Sequence, residues 1–248
     1  MRLGVLGNHG PYPAPGMATS GYLLTKGETA ILIDCGSGVL SRLIKRLDDV
    51  SKLTAVIISH LHADHIADLA VLRYMLQSMK ARGVVAQDYR LPVYLPQDDS
   101  PGYHYATEAS DNVFEQHKIF DRLSKRIGGI NFTFWAMRHP VTSFGMRIED
   151  EGKVLCYNGD TNWHDHLAAF ARDADVLLAA AGFLHENWNE NLPHLSARLC
   201  ARQAREAGVK RLVLTHFPPH DDPLALLEEA RSEFENTYLS QERQEIFV

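Results

Sequence analysis

The chain of 248 residues is 45% hydrophobic and 23% charged, a balance typical of a globular protein with a sizeable core. Its formal net charge of −6 argues against an extended nucleic acid as partner, because polynucleotide binding normally needs a basic face. No apolar run reaches the roughly 18 residues of a membrane span and the N-terminus lacks a signal-peptide core, so we expect a cytoplasmic protein with no membrane partner.

The first half of the chain alternates short apolar runs with amphipathic segments. Strands are predicted where the runs are short and β-branched, and helices where apolar residues recur every three to four positions. The irregular, aromatic segment 96–114 is typical of a lid, of a substrate wall or of a packed loop, and its role stays open. The predicted strands are Leu3–Leu6, Ser20–Thr25, Thr29–Asp34, Ala55–Ile58 and Leu91–Leu95, and the predicted helices are Val39–Leu47, Ile66–Met79 and Val113–Arg126.

The second half repeats this layout without repeating residue identities. Ser196 is expected to cap a helix that Gly208 ends, and the last eleven residues are predicted to be a polar tail with an apolar end. The predicted strands are Ile130–Arg138, Phe144–Glu149, Lys153–Asn158, Val176–Ala181 and Leu212–Thr215, and the predicted helices are Asp165–Arg172, Ala197–Ala207 and Leu224–Phe234.

The chain shows no sign of a division into several domains. No linker interrupts the alternating elements, so residues 1–248 are predicted to form a single layered α/β domain. Three widely spaced cysteines do not form a disulfide framework, and Cys35, Cys156 and Cys200 are each predicted to be a buried thiol.

The most informative stretch is Ser59-His60-Leu61-His62-Ala63-Asp64-His65, which directly follows a buried strand. Imidazole nitrogens and carboxylate oxygens are the ligands that zinc accepts near neutral pH. In extended backbone His60 and His62 point to the same side, so one metal can take both. Asp64 and His65 lie where the chain turns into a helix, and they can face a second metal beside the first.

Three further apolar runs end in a metal-binding residue, namely His139, Asp160 and His216. Strands that place functional groups at their carboxyl ends are a common way for a layered α/β scaffold to build a site. If these strands converge, the site can hold two metal ions that share Asp160. The predicted metal ligands are His60, His62, Asp64, His65, His139, Asp160 and His216.

This ordered pattern, from Leu32-Ile33-Asp34-Cys35-Gly36-Ser37-Gly38 to Leu214-Thr215-His216, resembles the metallo-β-lactamase superfamily. Within it, the bridging Asp160, His139 before Pro140, and His194-Leu195-Ser196-Ala197 are most similar to the ribonuclease Z-like branch. The resemblance implies an αββα four-layer sandwich with mixed sheets, helices on the outer faces and metals at one edge. It also implies a homodimer that pairs through the helices beside the metal loop.

The chemistry expected of such a site is hydrolysis. Two zinc ions, or Mn²⁺ in their place, lower the pKa of a bridging water, so a metal-bridging hydroxide is available at neutral pH. Phosphodiesters suit a pair of metal ions because the attacking oxygen and the leaving oxygen are in line at phosphorus. Small carboxyl and sulfate esters are also possible substrates of such a centre. We therefore expect a dinuclear zinc-dependent hydrolase, and count Asp64 both as a ligand and as a catalytic residue.

Two supporting roles follow from the resemblance. His194 matches the branch position that would give a proton to the leaving group, with Asp68 as a loosely fitting acidic partner. Asp34 would orient the metal loop from behind, although it could instead cap the helix that begins at Val39. Residues 179–182, all alanine or glycine, depart from relatives that often carry an acid or cysteine there, so a substrate contact from this strand is not expected.

Three other functions stay open. A tRNA 3′-processing endoribonuclease would need the RNA-binding arm that several relatives insert between the positions of His139 and Asp160, and only 20 residues lie there; short RNA is not excluded as a substrate. An iron-dependent redox enzyme uses the same scaffold, but its dinuclear forms commonly replace the histidine at position 62 by glutamate. The intact ligand positions argue against a non-catalytic interaction module.

Overall fold

Two mixed β-sheets lie face to face in the computed structural model, which describes residues 1–248. The first sheet has the order β15-β1-β2-β3-β4-β5-β6. Its strands are β1 (Arg2–Gly7), β2 (Gly21–Lys26), β3 (Thr29–Ile33), β4 (Ala55–Ile57), β5 (Leu91–Pro96), β6 (Phe114–Ile119) and β15 (Glu245–Phe247).

The second sheet has the order β14-β13-β11-β10-β9-β8-β7, and the short β12 pairs with β11. Its strands are β7 (Ser124–Ile127), β8 (Ile130–Met137), β9 (Ser143–Asp150), β10 (Lys153–Tyr157), β11 (Val176–Phe183), β12 (Leu195–Ser196), β13 (Leu212–Thr215) and β14 (Thr237–Leu239). In each sheet one half is antiparallel and the other parallel. The carboxyl ends of β4 and of β10 and β13 therefore reach the edge where the ligand candidates lie.

Helices cover both outer faces, so the buried apolar residues form three layers. Leu43 of one helix and Leu72 of another pack on the outside of the first sheet, Ile57 and Phe134 meet between the sheets, and Leu199 packs on the outside of the second sheet. This arrangement is the predicted αββα sandwich. The helices are α1 (Val39–Arg46), α2 (Ala63–Ile66), α3 (Leu69–Ala81), α4 (Pro101–Thr107), α5 (Leu167–Ala171), α6 (Ala197–Glu206) and α7 (Pro223–Glu233), with 3₁₀ turns at Val50–Lys52 and His185–Asn187.

Several local expectations are confirmed. Ser196 caps α6 by accepting the amide hydrogen of Leu199, and Gly208 follows the helix with a φ of +67°. All three cysteines are buried free thiols.

No helix has the length and apolar character that crossing a membrane would require.

The predicted helix Val113–Arg126 is wrong, because the segment forms β6 and β7. Phe114 and Ile119 are buried at the two ends of β6, and every residue of this strand pairs with β5. The central residues of β6 are polar, so the sequence carries little apolar alternation, and pairing with a neighbouring strand decides the structure.

Three other boundaries differ from expectation. The segment 96–114 contains α4, which Ser100 caps, so it is less irregular than its composition indicates. The predicted helix Ile66–Met79 is two helices, since α2 ends before Ala67 and α3 begins at Leu69. The C-terminal segment is not a simple tail, because β15 extends the first sheet beside β1.

Candidate metal centre

The loop after β4 brings its histidines to one edge of the sandwich. Ser59 and His60 leave the strand, His62 is the extended residue before α2, and Asp64 and His65 lie in the first turn of that helix. The extended backbone places His60 Nε2 3.1 Å from His62 Nδ1. The turn into α2 then directs the next two side chains to a second position.

The first cluster contains His60, His62, His139 and Asp160. His62 Nδ1 lies 3.0 Å from His139 Nε2, and His60 Nε2 lies 3.4 Å from Asp160 Oδ2. The strands β8 and β10 deliver the last two residues just beyond their carboxyl ends, as the sequence predicts.

The second cluster contains Asp64, His65, Asp160 and His216. His216 Nε2 lies 3.1 Å from Asp64 Oδ2 and 3.4 Å from Asp160 Oδ2, and His65 Nε2 is also 3.4 Å from that oxygen. The carboxylate of Asp160 is therefore common to both clusters. The structure thus brings all seven residues singled out in the sequence into two adjoining groups.

These spacings fit metal ions. Ligand atoms about 2.0–2.1 Å from a tetrahedral metal are about 3.3 Å apart, close to the separations within each cluster. Two buried atoms that face the clusters, His65 Nε2 and Asp160 Oδ1, have no hydrogen-bond partner in the protein. Because unpaired buried polar atoms are costly, the site is suited to a pair of metal ions.

The far nitrogens of two rings are held by the protein. His139 Nδ1 donates to the carbonyl oxygen of Pro193 (3.0 Å), and His65 Nδ1 donates to Asp34 Oδ2 (2.8 Å). In the neutral ring each of these bonds leaves the opposite nitrogen, Nε2, with a lone pair directed at the clusters, which is the tautomer that binds a metal.

The electrostatics of the two clusters differ. Burial lowers the pKa of His60, His62 and His139, so these rings are neutral and ready to bind a metal. At the second cluster burial acts in the same direction, but the carboxylates of Asp160 and Asp64 outweigh it and raise the pKa of His65 and His216. The two carboxylates of the second cluster thus favour positive charge beside them, which a divalent cation would supply.

Asp34 supports the site from behind and does not cap α1, whose N-cap is Gly38. Its buried carboxylate accepts hydrogen bonds from His65 Nδ1, from the amide and hydroxyl of Ser59, and from the hydroxyl of Tyr157 (2.8 Å). Since Tyr157 ends β10 of the opposite sheet, this carboxylate ties the metal loop to both sheets. Tyr157 and Ser59 carry no sequence signal beyond their place at or just after the end of a buried strand, and their contribution appears only in the structure.

His194 lies beside the clusters, with Nδ1 3.7 Å from Asp160 Oδ2 and no hydrogen bond at that atom. Burial lowers its pKa to about 3, so the ring is neutral at pH 7 in the free protein. Asp68 is not its partner, contrary to expectation: Asp68 Oδ2 accepts the amide hydrogen of Leu40 (2.9 Å) at the start of α1. The first amides of a helix have no partner within the helix, and Asp68 satisfies one of them, which explains why its carboxylate turns away from the centre.

A cavity of about 290 Å³ opens beside His194 and His216. Its walls are mainly apolar or lack side chains, and they include Gly10, Gly182 and Phe183. A Cβ atom at Gly10 would lie 2.0 Å from His216 Nε2, so only glycine allows this close approach. Gly182 similarly makes room for His194, which accounts for the glycine near the end of β11. Neither glycine could be assigned from the sequence, because the close approach joins distant segments.

The four-layer sandwich and its two adjoining His/Asp clusters define the class of metallo-hydrolases built on an αββα scaffold. A family model described as "Beta-lactamase superfamily domain" matches residues 29–217. The chain belongs to this metallo-β-lactamase superfamily.

Relatives and solved structures agree with this assignment. "Probable metallo-hydrolase YhfI" of Bacillus subtilis is 34% identical over 239 residues, which cover 94% of this chain and 94% of that protein. The crystal structure of YhfI covers 99% of this chain and 98% of its own, with a TM-score of 0.92 and 30% identity. "Ribonuclease Z" of Mycobacterium bovis is 29% identical over 251 residues, which cover 90% of this chain and 88% of that protein.

Proposed function

We propose that the protein is a dinuclear zinc-dependent hydrolase that acts on a phosphodiester or a related small ester. The observation that carries the proposal is the shared carboxylate of Asp160, which places the two clusters side by side. When bound, a pair of divalent ions supplies an activated water at neutral pH and stabilises both the attacking and the leaving oxygen of an in-line displacement. That chemistry suits a phosphodiester.

The ligands divide into two sets around the shared carboxylate. Asp160 would contact both ions, the first set consists of His60, His62 and His139, and the second consists of Asp64, His65 and His216. Asp64 is 8% exposed, against 1% for Asp160, so its carboxylate can orient a reacting water as well as bind a metal. We therefore propose that Asp64 is a catalytic residue as well as a metal ligand.

His194 would serve the leaving group. The ring is neutral in the free protein, and a substrate anion placed beside it would raise its pKa and favour its protonated form. His194 also lines the cavity that adjoins the clusters, so a leaving oxygen in that cavity lies within its reach. In that position it can donate a proton as the bond to phosphorus breaks.

The relatives support the reaction class more than the substrate. Those named ribonuclease Z act, by their name, on the phosphodiesters of RNA. The tRNA-processing version is disfavoured, because residues 140–159 are occupied by β9 and β10 and the tight turn between them, with no arm. A short RNA remains within the proposed substrate class.

A panel of chromogenic esters tests the proposal. The zinc- and manganese-loaded protein should hydrolyse bis(p-nitrophenyl) phosphate and p-nitrophenyl phenylphosphonate faster than p-nitrophenyl acetate or p-nitrophenyl sulfate, as measured by kcat/KM. Faster hydrolysis of the acetate or sulfate ester would contradict a phosphodiesterase. The iron-dependent alternative predicts no turnover of any of the four.

The homodimer implied by the resemblance also remains a proposal. The helix α3 beside the metal loop exposes Val71 and Tyr74, whose side chains lie three residues apart on one face, and Tyr105 of α4 is exposed as well. An exposed apolar face of this kind is typical of a protein interface. Light scattering at micromolar concentration should give twice the chain mass, and a monomer would refute the pairing.

The cytoplasmic location is likewise a prediction.

A further inference from the structure

Four cationic side chains surround a cavity of about 390 Å³ that is separate from the cavity beside His194. Three of them, Arg42, Lys45 and Arg46, share one face of α1, since they are three and four residues apart. The fourth, Arg243, lies in the turn between β14 and β15. Such a concentration of positive charge is unexpected in a chain whose net charge is −6.

Only two of these cations are neutralised. Arg42 forms an ion pair with Glu242 (2.8 Å) and also donates to the carbonyl oxygens of Gly38 and Gly16. Arg46 forms an ion pair with Glu245 (2.8 Å). Neither Lys45 nor Arg243 has a carboxylate within 4.0 Å, so the cavity keeps an excess of two positive charges.

The remaining groups indicate which anion would fit. An ammonium and a guanidinium with all their hydrogens free match the oxygens of a dianionic phosphate or phosphonate, and the Ser41 hydroxyl adds a further donor. Val5 and Leu6 of β1 also line the cavity, although their side chains are buried in the core. The cavity is also larger than a bare phosphate needs, so it has room for the organic part of a phosphorylated small molecule.

We propose that this cavity binds a small phosphomonoester at a site distinct from the metal centre. None of its lining residues belongs to the two metal clusters. The occupant would nevertheless lie against a loop that reaches the centre, because Gly16 lines the cavity while Gly10 of the same loop packs on the His216 ring. The site does not depend on which ester the protein hydrolyses.

Titration calorimetry of the zinc-loaded full chain with phenylphosphonate at low salt tests the site. Above neutral pH this probe is mainly a dianion; it carries an apolar group and, having no ester bond, is not hydrolysed. Binding should weaken by about tenfold or more in the double variant Lys45→Gln/Arg243→Gln, because both unpaired charges are lost. The charge-matched control Lys52→Gln/Lys125→Gln removes two exposed lysines elsewhere and should bind as the unmodified chain does.

Phenylphosphonate could also bind the metal ions. That binding is identified as the heat of binding that remains in the Lys45→Gln/Arg243→Gln variant. This variant should also keep the turnover of bis(p-nitrophenyl) phosphate, which shows an intact fold and separates this test from that of the proposed function. Equal binding by the two double variants, or no binding by the unmodified chain beyond that at the metals, would overturn the proposal.

Discussion

Substitution of Asp160 by alanine should remove both metal ions and abolish turnover. Asp160 Oδ2 lies 3.4 Å from a ring nitrogen of His60, of His65 and of His216, so its loss opens both clusters at once. A pair of metal ions supplies several kcal/mol of transition-state stabilisation, so kcat/KM should fall by at least about 10³-fold. Thermal stability should fall too, because ions that bind only the native state stabilise it.

Metal content after dialysis, measured by plasma mass spectrometry, checks this prediction alongside circular dichroism. Asp165→Ala is the matched control, since Asp165 is an exposed acid five residues further on and should keep both ions. The variant His62→Ala should lose mainly one ion, because His62 belongs to the first cluster alone. An Asp160→Ala protein that retains two ions per chain would show that the clusters do not share this ligand.

Substitution of His194 by alanine should separate catalysis from metal binding. His194 is not part of either cluster, so both metals and the fold should be retained. Turnover should nevertheless fall by about 10²–10⁴-fold, the usual contribution of a positioned acid or base. The loss should be largest for poor leaving groups, since p-nitrophenolate departs with little help from a proton.

A series of aryl phosphodiesters with leaving groups of increasing pKa measures this dependence. His166→Ala is the control, because His166 is an exposed histidine away from the clusters. An equal loss for every leaving group would mean that His194 holds the substrate or the local structure. Release of metal by the variant would mean that His194 is a ligand and that the two sets must be redrawn.

Much of the fold and the candidate site could be predicted because the relevant signals are local. Short apolar runs ending in His or Asp indicate strands that deliver their last residues to one edge, and β4, β8, β10 and β13 do so. The spacing of His60 and His62 is likewise set by extended backbone within three residues. The family resemblance added the prediction that these strand-end residues meet in one site with two metal ions.

The larger errors and omissions concern contacts between distant segments. The segment 113–126 forms two strands because β6 pairs with β5 and β7 pairs with β8, and the polar sequence of β6 does not indicate its pairing. Asp68 lies at a helix start, where its carboxylate could accept a hydrogen bond from a histidine or from the backbone of a neighbouring helix. Only the fold shows that its partner is the Leu40 amide. The bond from Tyr157 to Asp34, 123 residues away, is equally invisible before the sheets pack together.

The metal content of the purified, unmodified protein tests the central claim most directly. Plasma mass spectrometry, with the protein concentration determined by amino-acid analysis, should give close to two zinc or manganese ions per chain, one for each cluster. A protein with every ligand intact that holds a single iron ion per chain would contradict the dinuclear hydrolase.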